Sequence, residues 1–491
     1  MNQPVPAYKN QYPVMNSLVP LLLTLACLLL QGCQPPFGDS GLGETGCKRC
    51  HRVRIDPKHD FSCGSCHNGN PTGWLKREAH QGLVAHPAGP DNSRAYCSGC
   101  HREAENSARH SMHYSMQREI NLTWHAFFPG DKPPSVRELH GEDRPRDSRS
   151  LVRDLLARRC LRCHVYHEGD SYRGTVRGTG CAACHMDPGA GGHYIYRKPR
   201  VKNCLSCHYA NFTGWDYQGR FEKDYPEDFR APLKRGRHLP RAHGVEWISM
   251  QPDIHKKAGL TCLDCHRQAP FHPENVEKAG TGVLCTSCHD LDARVVGHRP
   301  QDLERARCGV CHAVWTALDI GRNLLRLDRP DMEEWKFLSV QGSSEIEKSI
   351  NEWAGAAEIP PDFTFTMKDK ITGKEFPGLW MAGFQQKRWG PVIIGECANG
   401  TLSVIRPLLD ISISYVDRDE EIVFDSLPPE PGWTDRSGKV VGIVYPASIQ
   451  TRPLPRPGLW LPYHPHTTGK ADIFRTMFVQ KFLLAHDNKM K

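Results

Sequence analysis

The feature that most constrains this chain is a five-residue motif, Cys-x-x-Cys-His, which occurs nine times. Numbered 1 to 9 in chain order, the motifs consist of Cys47, Cys50 and His51; Cys63, Cys66 and His67; Cys97, Cys100 and His101; Cys160, Cys163 and His164; Cys181, Cys184 and His185; Cys204, Cys207 and His208; Cys262, Cys265 and His266; Cys285, Cys288 and His289; and Cys308, Cys311 and His312. Random placement of 21 cysteines and 26 histidines in 491 residues would produce on the order of 0.05 copies. The repeated motif therefore needs a chemical cause.

This spacing is typical of covalent c-type haem attachment. The two thiols lie about one helical turn apart and reach one edge of a porphyrin, and the histidine that follows binds the iron from below. Zinc sites combine cysteine pairs in fours and leave no role for an adjacent histidine. A disulfide framework would not place a histidine after every pair, and a thioredoxin-like site needs a single motif. We therefore predict nine c-type haems. The motif cysteines attach each porphyrin covalently, and the motif histidine is a ligand of its iron.

One apolar run, residues 18–30, precedes the motifs. A membrane-spanning helix needs about 20 apolar residues, so this run is too short to span and fits the central region of a signal peptide. It ends in Leu-Gln-Gly-Cys33, which resembles the lipobox of bacterial lipoproteins and implies that Cys33 is lipidated. The alternative is an ordinary signal peptide followed by a chance cysteine, and Met15 is an alternative start. Gln34, where inner-membrane lipoproteins carry Asp, implies the outer membrane.

The ligand on the second face of each iron decides between an electron carrier and an enzyme. A second histidine saturates the iron and leaves electron transfer only, whereas an open face lets a substrate bind. Fourteen further histidines lie within the motif region, enough for nine irons. The predicted distal ligands are His59, His255, His86, His113, His238 and His298. For each of them the alternative is a surface or hydrogen-bonded histidine. No Cys-x-x-Cys-Lys variant occurs, which disfavours an enzyme but does not exclude one.

The motif density predicts the architecture. Residues 47–318 hold nine motifs at about 30 residues per haem, too few to build an independent apolar core. We expect a multihaem cytochrome c in which haems form the core, wrapped by short helices and loops with little regular sheet. The chain then divides into a signal peptide at 1–32, a lipid-anchored tether at 33–46, the nine-haem domain at 47–318 and a haem-free domain at 319–491.

The C-terminal domain is predicted to be mixed and β-rich and to end in a helix. Alternating and β-branched residues predict strands at 402–405, 411–416, 421–424 and 440–445. His464 and His466 lie in a proline-rich stretch and are interpreted as a loop pair, with metal or haem ligation as the alternative. The role of this domain is the least evident part of the sequence.

The formal charge of +8 does not indicate a nucleic-acid partner. Each ferric haem with two histidine ligands adds about −1, so nine haems bring the chain to about −1. Much of the lysine and arginine excess is therefore expected to bind haem propionates, and we predict no nucleic-acid partner.

With its nine motifs and the Leu-Gln-Gly-Cys33 site, the chain resembles outer-membrane multihaem c-type cytochrome lipoproteins of extracellular electron transfer. The resemblance covers the signal peptide and most of residues 47–315. It implies electron transfer in anaerobic or extracellular respiration, redox-partner cytochromes, and attachment to the membrane through a lipid, at the periplasmic or cell-surface face. An outer-membrane porin is a further candidate partner.

Two alternatives stay open. One is a multihaem oxidoreductase that acts on a small nitrogen or sulfur oxyanion at one open haem in a basic pocket. The other is a haem-bearing subunit of a cytochrome filament or a porin–cytochrome complex. An electron carrier is favoured over an enzyme, because the supply of histidines suffices for every iron.

Overall fold

The computed structural model describes residues 46–187, 193–223, 241–267, 271–273, 284–295, 297–329, 341–354, 364–383, 385–407, 410–429, 440–445 and 460–489. The signal peptide, the lipidation candidate Cys33 and the distal-ligand candidate His238 lie outside the described residues. The chain divides into two compact units, Met1–Pro87 and Ala88–Lys491. The domain boundary predicted at residue 318 falls inside the second unit, within the strand Thr316–Ile320.

The first unit has little regular structure in its described part. A 3-10 turn at Gly46–Arg49 is followed by helices α1 (Cys63–His67) and α2 (Lys76–Ala79). Asp56 is the only residue among the described residues 46–87 that is buried. The two motifs of this unit thus lie in a segment whose polypeptide builds no apolar core of its own in the described part.

The second unit begins with helices and continues with strands. Its helices are α3 Ser93–Tyr96, α4 Ser98–Arg109, α5 Met112–Ser115, α6 Gln117–Phe127, α7 Ser148–Arg158, α8 Cys181–His185, α9 Val201–Leu205, α10 Ile254–Lys257, α11 Cys262–Cys265, α12 Pro300–Arg305, α13 Gly309–His312, α14 Ser344–Ala354 and α15 Ile473–Lys489. Short 3-10 turns lie at Val136–Glu138, Cys160–Cys163 and Cys285–Ser287.

The strands are β1 Arg220–Lys223, β2 Glu246–Ser249, β3 Thr316–Ile320, β4 Arg322–Leu327, β5 Thr366–Lys368, β6 Glu375–Pro377, β7 Leu379–Ala382, β8 Gln386–Gly390, β9 Ile394–Cys397, β10 Leu402–Pro407, β11 Ile411–Val416, β12 Ile422–Leu427, β13 Val440–Tyr445 and β14 Trp460–Tyr463. They form two four-stranded sheets, β13-β9-β10-β14 and β12-β11-β4-β7, and three two-stranded ones, β1-β2, β3-β8 and β5-β6. Strands β4 and β11 pair in parallel, and the other pairs are antiparallel. Strands β10 to β13 lie where the sequence predicts them, and β11 and β12 form an antiparallel hairpin.

The largest apolar core joins the two halves of the second unit. Ile120 on α6 and Leu155 on α7 pack in one cluster with Trp380 on β7 and Tyr415 on β11, all almost fully buried. Helices between motifs 3 and 4 therefore bury their apolar faces against the sheet of the C-terminal half. This packing is why the second unit continues across residue 318.

A second cluster binds the last motif to the end of the chain. Val310 of motif 9 packs with Val404 on β10 and with Val479 and Leu483 on α15. The terminal helix is thus present as predicted and buries these two side chains, whereas Ile473 and Phe474 in its first turn are exposed. In the part of the chain that the structure describes, no helix is both long and apolar enough to cross a membrane.

Candidate functional site

In eight of the nine motifs the local backbone brings the histidine onto the side of its first cysteine. In motifs 1, 3, 6, 7, 8 and 9, the histidine amide donates to the carbonyl of the first cysteine over 2.8–3.0 Å, as in one turn of α-helix. Motifs 2 and 5 lie wholly within helices α1 and α8. Residues four apart on a helix are neighbours, so this turn directs thiol and imidazole toward one side. That arrangement is what covalent attachment and iron ligation require together.

Gly180 shows how the sequence permits one of these turns. It precedes α8 with φ of +56°, and a Cβ at this position would overlap the carbonyl oxygen of Ala88. The same carbonyl accepts a hydrogen bond from the amide of Cys181 at 3.1 Å. A residue without a side chain is therefore needed where motif 5 begins.

Six motif histidines face a second histidine ring. The distances between ring centroids are 5.9 Å for His51 and His80, 6.2 Å for His185 and His272, 6.3 Å for His208 and His113, 6.2 Å for His266 and His466, 5.9 Å for His289 and His255, and 6.2 Å for His312 and His298. In every pair the first residue belongs to a motif and the second does not.

This separation fits a metal ion held between the two rings. A metal–nitrogen bond is about 2 Å long. A five-membered ring with sides of about 1.33 Å has its corners about 1.1 Å from its centre. Two such bonds and two such radii in line give about 6.2 Å between centroids. The six observed distances, 5.9–6.3 Å, match this value, so the residues fit a haem iron with two axial histidines.

The remaining ring nitrogens are held as metal-binding histidines usually are. Carbonyl oxygens only accept, so each of these contacts fixes the proton on Nδ1 and leaves Nε2 for a metal. The contacts are His67 to Val84 at 2.9 Å, His185 to Tyr196 at 2.7 Å, His208 to Thr213 at 2.7 Å, His312 to Gly469 at 3.0 Å and His272 to Ala104 at 3.0 Å. His255 and His59 instead place Nδ1 against the carboxylates of Asp253 and Asp56, at 2.8 and 2.7 Å.

Burial keeps at least one ligand candidate neutral. The pKa of His113 is lowered to about 4 by its burial, with His208 and His266 adding to the shift. Neutral imidazole is the form that binds metals, so His113 needs no deprotonation at neutral pH.

Motif 4 is the exception. Its histidine amide donates to Leu161 rather than to the first cysteine, and His164 is fully buried. Its Nε2 lies 3.1 Å from the carbonyl oxygen of Tyr114, and its ring stacks on Tyr166 at 4.3 Å. Burial lowers the pKa of His164 to about 3. Iron ligation by His164 therefore requires the Tyr114 carbonyl to move away, a requirement absent from the six paired motifs.

Three of the six predicted distal ligands lie opposite a motif histidine in the structure. His255, His113 and His298 each face a motif histidine. The ring facing His51 belongs to His80 rather than to His59. His86 is exposed, and His238 lies outside the described residues.

Three paired histidines were missing from the predicted set: His80, His272 and His466. The sequence places His272 and His80 without any distinguishing spacing. His466 was interpreted as part of a loop pair because its region carries no motif. These three histidines lie 29, 87 and 200 residues along the chain from the motif histidines that they face, so local sequence offers no signal for these pairs.

Thiols of different motifs also lie next to each other. Hydrogen-bonded thiol pairs are Cys47 with Cys63, Cys97 with Cys181, Cys163 with Cys207, Cys204 with Cys262 and Cys285 with Cys308. These contacts lower the pKa of Cys262 to about 7 and that of Cys308 to about 6. Attachment sites of different motifs are therefore immediate neighbours.

Weaker electrostatic contacts join further motifs. Cys184 of motif 5 acts on Cys204 and Cys207 of motif 6, and Cys265 of motif 7 is influenced by Cys288 and Cys285 of motif 8. Within the second unit, the attachment sites thus form one connected series.

Comparisons with known proteins return no relatives: no family model, no curated protein and no solved structure matches the chain. Among the described residues, no group of three or more His, Cys, Asp or Glu side chains is placed to bind a metal ion.

Proposed function

We propose that this protein transfers electrons through nine covalently bound c-type haems. The observation that carries the proposal is the set of six histidine pairs, each with one motif histidine, at 5.9–6.3 Å. Haem iron supplies reversible one-electron chemistry, and two histidine ligands leave no position for a substrate. The chain's own part is to hold each ring pair, fix the Nδ1 protons and bring attachment sites together.

The thiol contacts support an order for the electron route. In the second unit thiol contacts connect motif 3 with 5, 4 with 6, 6 with 7 and 8 with 9, and electrostatic influence between thiols adds the links from 5 to 6 and from 7 to 8. In the first unit they connect motifs 1 and 2. Neighbouring attachment cysteines hold neighbouring porphyrin edges, and electron transfer is fastest between close edges. We infer a main route from motif 3 to motif 9 with one branch at motif 4.

The cellular setting of the proposal comes from the sequence. An outer-membrane lipid anchor at Cys33, redox-partner cytochromes as donors and acceptors, and a porin as a further candidate partner follow from the family resemblance. Replacement of Cys33 by Ser should release the protein from membranes and abolish labelling by radioactive fatty acid. Membrane retention of this variant would overturn the proposal that a lipid on Cys33 anchors the protein.

Motif 4 favours a second candidate function. The Tyr114 carbonyl, not a histidine ring, lies on Nε2 of His164. The buried Arg159 beside this motif has an Nη1 that makes no hydrogen bond to any described residue, and Arg177 donates to the carbonyl oxygen of His164 at 3.4 Å. Buried cations attract anions. An oxidoreductase acting on a small nitrogen or sulfur oxyanion at this motif is therefore the alternative.

Low-temperature EPR of the purified, fully oxidised protein tests both candidate functions, electron transfer and the oxidoreductase. Haem quantification by the pyridine haemochrome assay should first give nine haems per chain. Low-spin ferric signals that account for all nine would leave electron transfer as the function. A high-spin signal equal to one haem would favour the second candidate, and nitrite, hydroxylamine and sulfite should then be tested for turnover. Fewer than nine haems would overturn the proposal as stated.

A further inference from the structure

We propose that the loop at residues 463–469 of the haem-free C-terminal region, here called the tail loop, provides and positions axial ligands of haem iron. It supplies the distal ligand of motif 7 through His466 and fastens the ligands of motifs 8 and 9. The inference rests on the proposed function, because it assigns ligands to haems that function requires. It gives the C-terminal region a role in the redox centre itself.

At motif 7 the tail loop contributes a ring. His466 faces His266 with 6.2 Å between the ring centroids, the separation expected across an iron. The buried carboxylate of Asp216 accepts from the backbone amide of His466 at 3.1 Å, and its second oxygen lies 3.7 Å from Nδ1 of the same residue. The hydroxyl of Tyr463 also donates to Asp216. One carboxylate thus anchors the loop through two hydrogen bonds, and its charge lies within ion-pair distance of the imidazole, where a carboxylate raises the basicity of a ligating histidine.

At motif 8 the tail loop acts through Asp253. One oxygen of this buried carboxylate contacts Nδ1 of His255 at 2.8 Å, and the other accepts from the amide of Thr468 at 2.6 Å. His255 faces the motif histidine His289 at 5.9 Å. The tail loop therefore fixes the carboxylate that orients the distal ring of motif 8.

At motif 9 the tail loop holds the proximal ligand. The carbonyl oxygen of Gly469 accepts from Nδ1 of His312 at 3.0 Å, and the amide of Gly469 donates back to the carbonyl of His312 at 2.9 Å. Thr467 accepts from the amide of Val314 at 2.8 Å. The contacts on His312 fix its proton and its ring plane, so that Nε2 is left for iron.

These three motifs are consecutive in the inferred electron route. Seven residues of the tail loop therefore act on the ligands at the end of the inferred electron route. Second-shell contacts tune ligand basicity and reduction potential, so the tail loop is placed to set the potentials of these haems together.

The test uses the full-length protein with His466→Ala. Loss of a distal histidine should convert one haem from low-spin to high-spin in the EPR spectrum of the oxidised protein. The reduced variant should bind carbon monoxide at one more haem than the unaltered protein. Added imidazole should restore the low-spin signal, which shows that the variant is folded. The control is His140→Ala, which removes a mostly exposed histidine outside the tail loop and should leave the spectrum unchanged.

Asp216→Asn provides a second measurement that keeps the ligand in place. It should leave every haem low-spin and shift the midpoint potential of one haem in a spectroelectrochemical titration. An unchanged spin count and carbon monoxide stoichiometry in His466→Ala would overturn the ligand assignment. If the unaltered protein itself lacks nine haems, the proposed function fails instead. The haem count therefore separates the two failures.

Discussion

Two regions of the second unit differ in what holds them together. In the apolar core, Ile120, Leu155 and Trp380 are fully buried by other side chains. In the segment around motif 8, residues 284–295, every residue except Leu291 is exposed, and Leu284 is 73% exposed. Polypeptide packing explains the first region and not the second. The chain thus folds the first region through its own side chains, and under the proposed function the haem of motif 8 would order the second.

The apolar core also carries buried charges that only a well-defined fold can pair. Asp154 accepts from the indole of Trp380 at 2.7 Å and pairs with Arg158 at 3.3 Å and Arg326 at 3.4 Å, and these charged side chains have no exposed surface. A buried charge without its partner is strongly destabilising. This region is therefore specified by polar as well as apolar contacts, whereas the motif 8 segment has neither kind in comparable number.

The largest expected effect comes from removing one haem. The double variant Cys285→Ala, Cys288→Ala eliminates both attachment thiols of motif 8. Residues 284–295 should then exchange their amide hydrogens at the rate of an unstructured chain, while α7 keeps its protection. Hydrogen–deuterium exchange with mass spectrometry measures both in one experiment. Thr286→Ala, which keeps both thiols, is the control. Unchanged exchange in the double variant would contradict the prediction that haem orders residues 284–295.

The second effect concerns the apolar core. Leu155→Ala should lower the free energy of unfolding by about 2–5 kcal/mol, because it removes buried methyl groups from a packed cluster. Each haem should remain attached and keep its spectrum until unfolding. Ile422→Ala, on strand β12 and 68% exposed, should change the free energy of unfolding by no more than about 0.5 kcal/mol. Denaturant unfolding followed by circular dichroism distinguishes the two, and equal effects would show that the core is not stabilised as described.

These two regions also show what sequence can and cannot predict. The alternating residues of β11 and the β-branched run of β13 predict their strands, because strand periodicity is local. The packing across residue 318 could not be predicted, because α6 and α7 bury their apolar faces against strands more than 150 residues later. The motifs predict the proximal ligands directly. The partner of His266 lies 200 residues further along the chain, so only the fold brings His466 to it.

A third prediction tests ligand pairing in the first unit. His80→Ala should convert the haem of motif 1 to high-spin, because His80 is the ring that faces His51 at 5.9 Å. The expected change is one haem, read from EPR spin quantification and from carbon monoxide binding after reduction. His140→Ala removes a mostly exposed histidine and should give no change. A normal low-spin count in His80→Ala would return the distal position to His59 or His86.

The smallest expected effect is a pH dependence of the free energy of unfolding that comes from one buried carboxyl group. Burial raises the pKa of Asp319 on β3 from 3.8 to about 6, with Glu222 adding to the shift and Lys387 and Asn211 opposing it. The folded state then holds this proton more tightly than the unfolded state between these two values. The stabilisation is complete below pH 3.8 and is lost as the pH rises through 6, for a total of about 3 kcal/mol at most. Haem propionates are also carboxyl groups, so the informative quantity is the difference between the protein and Asp319→Asn. The free energy of unfolding of the protein should therefore fall relative to that of Asp319→Asn, by up to this amount, between pH 4 and pH 7 in urea unfolding curves. Parallel pH dependences would show that Asp319 titrates alike in both states.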